Sequence, residues 1–151
     1  MQLAVRSALL LLHAGMAAAV HAQGSLPLAE LGINAKRIKV EIAHTPAARQ
    51  TGLMHRTALP EHQGMLFAYP DSETRCMWMK NTLIPLSVAF IDARGRILNI
   101  EDMQPKTRDY HCSTGSVQFS LEMNLGWFRT NGAQAGDKVQ GLESLPGQNS
   151  N

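Results

Sequence analysis

Residues 86–103 read LSVAFIDARGRILNIEDM, two apolar-rich runs on either side of Asp92-Ala93-Arg94-Gly95-Arg96. Val, Ile and Phe suit a pleated surface, and a three-residue hairpin loop needs a left-handed residue that glycine supplies without strain. The stretch is therefore expected to be a β-hairpin with Gly95 in that position. Pairing Asp92 with Arg96 sets Phe90 against Leu98, Val88 against Ile100, Ala89 against Asn99 and Ser87 against Glu101. In that register one face is apolar, and Ser87, Asn99 and Glu101 share the other.

The same period of two recurs on both sides of the hairpin. Val117, Phe119, Leu121 and Met123 alternate with Gln118, Ser120, Glu122 and Asn124, and Ile38, Val40 and Ile42 alternate upstream. Met65 to Tyr69 is a short apolar run between Gly64 and Pro70; residues 76–81 and 138–142 are further candidate strands. Thr45-Pro46 has the form of an N-cap followed by proline at the first helical position, with Gly52 closing a short helix. Residues 125–131 suggest a second helical turn ending at Gly132. Many short strands and one or two short helices give a mostly β, β-rich α+β class, arranged as one antiparallel β sandwich or barrel-like domain over residues 23–145. Residues 146–151 are expected to be a disordered tail.

The chain has 151 residues, enough for one domain, with 14 Lys plus Arg against 12 Asp plus Glu. That near balance, without a basic run, argues against a nucleic-acid partner. Residues 1–22 have the form of a secretory signal peptide: Arg6, a mostly apolar stretch from Ala8 to Val20, then Val20-His21-Ala22. Cleavage is expected after Ala22, giving a periplasmic or secreted protein with no membrane span after cleavage. Cys76 and Cys112 remain, and an even pair in an oxidising compartment is most simply a disulfide.

Three ordered stretches, GLMHRTALPEHQGMLFAYP, WMKNTLIPLSVAFID and LEMNLGW, resemble the bacterial and archaeal family named domain of unknown function 192. The resemblance covers roughly residues 38–139. It rests on Gly52, Leu53, Met54 and Arg56; on Gly64, Met65, Leu66 and Phe67; on Trp78, Met79, Lys80, Asn81 and Thr82; and on Leu121, Glu122 and Gly126. It implies a compact, β-rich, often exported domain and no particular activity. Where that family usually carries an Asp after the Pro-Leu pair, this chain has Ser87.

Several groups are candidates for chemistry. Lys80, Asn81 and Glu122 interrupt apolar strand patterns, and neighbouring strands would let Lys80 and Glu122 pair at a cleft. There Asn81 and Asn124 would present amides, and Trp78 an apolar wall suited to a sugar or another small polar ligand. Binding of such a ligand, or of another exported protein, makes the chain a binding or accessory module and is the leading reading. Met77 and Met79 lie at i and i+2, on one face of a strand, and soft thioethers suit copper as Cu(I). No other cofactor is indicated. Ser87, Glu101 and His111 are the elements of a hydrolase, without a Gly-x-Ser-x-Gly elbow around any Ser. The histidines form no zinc motif, and His62 in particular is expected to be a solvated loop residue.

Overall fold

The computed structural model describes residues 25–145. The expected signal peptide and the tail from residue 146 lie outside the described residues. The strands are β1 (Leu28–Ile33), β2 (Lys36–Ala43), β3 (Gln63–Glu73), β4 (Cys76–Met77), β5 (Leu86–Ile91), β6 (Ile97–Met103), β7 (His111–Cys112) and β8 (Val117–Asn124). Two short helices, α1 (Pro46–Thr51) and α2 (Trp127–Thr130), and a 3-10 turn (Leu142–Ser144) complete them. The mostly β expectation holds. Helix α1 starts as its sequence dictates: Ala48 N–H donates to Thr45 Oγ1 at 3.2 Å, Pro46 opens the first turn and Gly52 closes it with φ 47°.

Six strands form one sheet in the order β1-β2-β3-β8-β5-β6, and β4 pairs with β7 in a separate ribbon. The sheet is mixed, because β2 and β3 run parallel while the other neighbours are antiparallel. A parallel pair needs a crossover, which is the role of α1 and the loop after it. Its two edges, β1 and β6, are laced together by one strap of chain. Gln140 exchanges both backbone bonds with Gly32 at 2.9 and 3.1 Å, while Val139 N–H reaches Gly95 O at 2.8 Å and Ile97 N–H reaches Asp137 O at 2.9 Å. The sequence suggests a last strand at 138–142; the chain there makes isolated bridges, and its strap gives the sheet a barrel-like closure that covers exposed edges. Gly141 has to be glycine: at φ 91°, a Cβ would lie 2.8 Å from Glu30 O.

Strand β5 lies between β8 and β6 and all six of its residues are buried, so both of its faces meet core. One core cluster gathers Leu31, Val40, Ala89, Ile91, Leu121 and Phe128, and the other Leu53, Met65, Phe67, Val88, Phe90 and Met103. The hairpin loop forms as its sequence implies, with Asp92 N–H bonded to Arg96 O at 2.9 Å and Gly95 at φ 82°. Beyond it the register differs from the sequence reading. A slip between Phe90 and Ile91 leaves Ile91 opposite Ile97 but puts Phe90 against Asn99, Val88 against Glu101 and Ser87 against Asp102. A one-residue bulge exchanges faces. Asn99 and Glu101 therefore lie on the opposite face from Ser87.

Candidate functional site

The ribbon of β4 and β7 sets Cys76 directly opposite Cys112 and joins them in a disulfide. Asn99 anchors this arm to β6: its Nδ2 donates to Cys112 O at 3.0 Å and its Oδ1 accepts from Thr114 N–H at 3.1 Å. After β4 the chain turns through residues 78–85 into β5, and backbone bonds hold that connection on two sides. Met79 N–H donates to Thr107 O at 3.2 Å, Lys106 N–H to Thr82 O at 3.0 Å and His55 N–H to Asn81 O at 2.9 Å. Three of these residues adopt the left-handed region without being glycine: His55 at φ 63°, Asn81 at φ 56° and Lys106 at φ 62°. Asn34 and Ala35 also do so, in the tight turn between β1 and β2. The other three meet around one connection away from any hairpin. Such conformations persist only when the surroundings over-determine them, and they gather at ligand clamps and active sites.

Above this braced connection two aromatic rings face solvent. Trp78 is 39% exposed and Tyr110 70% exposed, and their planes lie within 5° of parallel with centroids 6.2 Å apart. The Lys80 ammonium sits 5.4 Å from the centre of the Trp78 ring. The ion pairs among the described residues involve Arg37, Arg56, Arg75 and Arg129, with His62 near Glu61, so Lys80 is without a carboxylate partner there. The result is a ring shelf with the Lys80 ammonium against it.

Trp78, Lys80 and Asn81 thus come together as the sequence suggests, but Glu122 and Asn124 do not join them. Asn124 donates to Leu59 O at 2.8 Å and Pro60 O at 3.3 Å, tying β8 to the crossover loop. Glu122 is buried, flanked on the sheet by Met65 and Val88, and the expected pairing with Lys80 is not made. Burial pushes the Glu122 carboxyl up to about 8 from an ordinary 4.5. The reason lies in topology: Lys80 is on a connection rather than on a strand beside β8. Tyr110 belongs to the shelf although the sequence reading missed it. Its signal was an aromatic residue placed inside the polar run Lys106-Thr107-Arg108-Asp109-Tyr110, which leaves it no core to enter.

The hydrolase elements do not converge. Ser87 is buried, donates to Asp102 Oδ1 at 2.5 Å and accepts from Gly126 N–H at 2.8 Å, while Glu101 faces the other side of the hairpin and His111 pairs across from Met77. A carboxylate does stand at the place where Ser87 replaces an expected Asp, supplied across the strands by Asp102. His62, expected to be free in its loop, accepts from Trp127 Nε1 at 3.2 Å. A cleft of about 550 Å³ lies beside the closing strap, between Arg94 and Glu143, away from the braced loops.

Residues 29–141 match the DUF192 family, Uncharacterized ACR, and the chain belongs to that family. Among solved structures it is similar to a proposed transcription regulator from Sinorhizobium meliloti 1021, with 32% identity over 79% of this chain and 97% of that one and a TM-score of 0.76. It is also similar to a protein of unknown function from Novosphingobium aromaticivorans DSM 12444, with 31% identity over 82% of this chain and 91% of that one and a TM-score of 0.74. No curated protein matches it.

Proposed function

We propose that this DUF192 member is an exported binding module whose shelf of Trp78 and Tyr110 receives a small polar ligand carrying a ring and an acidic group, an acidic sugar being the simplest such molecule. The observation that carries the reading is the parallel ring pair, 6.2 Å between centroids, held in solvent over a connection braced by three left-handed non-glycine residues. Large apolar rings left outside a core that could have taken them are informative, and a rigid pair loses little entropy when a flat ring lies against it. Lys80, its ammonium 5.4 Å from the centre of the Trp78 ring, supplies the charge an acidic ligand would meet.

Export is supported by two features. The first 22 residues have signal-peptide form, and the Cys76–Cys112 bond suits an oxidising compartment. The regulator designation of the Sinorhizobium protein is not extended to this chain, whose charges nearly balance. Titration of the disulfide-intact protein with glucuronate, galacturonate and their neutral parent sugars tests the reading by calorimetry. Saturable binding of an acidic sugar, lost in Trp78→Ala with the melting temperature unchanged, is the expected result. Equal, non-saturating heats for all of them, or binding that survives Trp78→Ala, would overturn it.

A further inference from the structure

Strands β5 and β6 set Ser87 opposite Asp102 and Ala89 opposite Ile100, so Ser87, Ile100 and Asp102 share one face of the sheet. The chain after β8 packs on that face, its Phe128 and Ala133 belonging to the same core cluster as Ala89, and a cleft of about 460 Å³ lies between the sheet and residues 126–135. This second wall is fixed in place. Ala133 N–H donates to Phe128 O at 2.8 Å, Gly136 N–H to Ile97 O at 2.8 Å and Asn34 Nδ2 to Gly132 O at 2.9 Å. The cleft is therefore preformed, and a ligand entering it orders little of the chain.

Its lining combines an apolar floor with one pair of opposite charges. Ile100, partly buried, lies there with the buried side chains of Phe128 and Ala133. Asp102 and Arg129 are 43% and 76% exposed, with Arg129 Nη1 3.5 Å from Asp102 Oδ2. The carboxylate is held from below: Ser87, 1% exposed, donates its hydroxyl to Asp102 Oδ1 and accepts from Gly126 N–H at 2.8 Å. A buried hydroxyl bonded on both sides thus locks one carboxylate oxygen and leaves the other toward Arg129. Their separation exceeds that of a charge-assisted hydrogen bond, and an exposed pair of this kind contributes little, so a ligand can part the two charges at small cost.

We infer that this cleft is a second ligand site, shaped for a free α-amino acid with an apolar side chain: its ammonium against Asp102, its carboxylate against Arg129 and its side chain over Ile100, Phe128 and Ala133. Charge decides between the ligand classes. A simple anion would meet Asp102 beside the guanidinium, and a simple cation would meet Arg129 beside the carboxylate. A molecule carrying both charges on neighbouring groups answers both at once, since a guanidinium fork matches a carboxylate and a fixed carboxylate oxygen suits an ammonium. The site is independent of the ring shelf, because none of Trp78, Lys80 and Tyr110 lines it.

L-Leucine is the probe, titrated into the disulfide-intact protein labelled with carbon-13 at its isoleucine and alanine methyl groups and with nitrogen-15 at its indoles. The methyl signals of Ile100 and Ala133 should move and saturate, while the Trp78 indole signal stays in place. N-acetyl-L-leucine lacks the cation, L-leucinamide lacks the anion and L-aspartate lacks the apolar side chain; each should bind at least tenfold more weakly than L-leucine. Asp102→Asn keeps an acceptor for the Ser87 hydroxyl and Arg129→Gln alters an exposed side chain, and each should weaken leucine binding at least tenfold with the melting temperature little changed. If Asp102→Asn does not fold, Arg129→Gln and the two blocked leucines carry the same expectation. Leucine that leaves the Ile100 and Ala133 signals unmoved up to its solubility limit, blocked forms that bind as well as leucine, or folded variants that bind as tightly as the parent, overturn the inference.

Discussion

Replacing Glu122 by glutamine removes an ionisation that the fold resists. With the native carboxyl pushed up to about 8 and an ordinary value of 4.5 once unfolded, the native state holds a proton that the unfolded chain releases between those values. Wherever the folded state binds more protons, stability falls as pH rises, by about 1.4 kcal/mol per pH unit for one group. Below pH 4.5 both states are protonated and the penalty is absent; above about 8 both are ionised and it levels off near 5 kcal/mol. At pH 7 the parent has therefore lost roughly 3 kcal/mol that Glu122→Gln retains, a difference on the order of 10 °C in melting temperature for a chain of this size. Urea unfolding of both proteins, disulfide-intact, at pH 5, 6, 7 and 8 measures it. The gap should be small at pH 5 and widen with each step in favour of the variant. A gap that stays constant with pH, or that narrows, would show that Glu122 is not a lone buried acid.

Serine at both Cys76 and Cys112 should lower stability by roughly 4 kcal/mol on the chain-entropy model for a closed loop of this length, measured by urea unfolding. The intact mass of the exported protein should also be about 2 Da lower than that of its reduced form, the two hydrogens lost when one disulfide closes. Gly64→Ala should cost on the order of 3 kcal/mol, since a Cβ there would lie 2.4 Å from both the Glu122 carbonyl oxygen and Met123 Sδ, and the backbone oxygen cannot move aside. His62→Ala should cost no more than about 1 kcal/mol, because Trp127 Nε1 loses its acceptor at a place water can reach, and should leave sugar binding intact.

Much of the fold was legible because its signals are local. The alternation from Val117 to Asn124 matches β8 residue for residue, Thr45-Pro46 and Gly52 bound α1, and Gly95 turns the hairpin. Strand β1 carried no clear alternation, and the parallel pairing of β2 with β3 depends on contacts distant in sequence. The slip between Phe90 and Ile91 was invisible because a bulge leaves hairpin composition unchanged, yet it moved Asn99 and Glu101 off the face of Ser87. At the site, the candidates Trp78, Lys80 and Asn81 fall on one connection while Glu122 lies in the core away from Lys80, since a residue that interrupts an apolar pattern can lie at a surface or deep in a core, and only the neighbouring strands decide which. Tyr110 reaches Trp78 through the β4–β7 ribbon, which pairs residues far apart in the chain.

Trp78 and Trp127 give the protein two indole N–H groups, one exposed on the shelf and one buried against His62. Following both in nitrogen-15 correlation spectra while an acidic sugar is added tests the binding claim at its own location. Saturable movement of the Trp78 indole signal with that of Trp127 unchanged is the result expected of a ligand on the Trp78 and Tyr110 rings. A Trp78 signal that stays still to saturating sugar, or movement confined to Trp127, would contradict it.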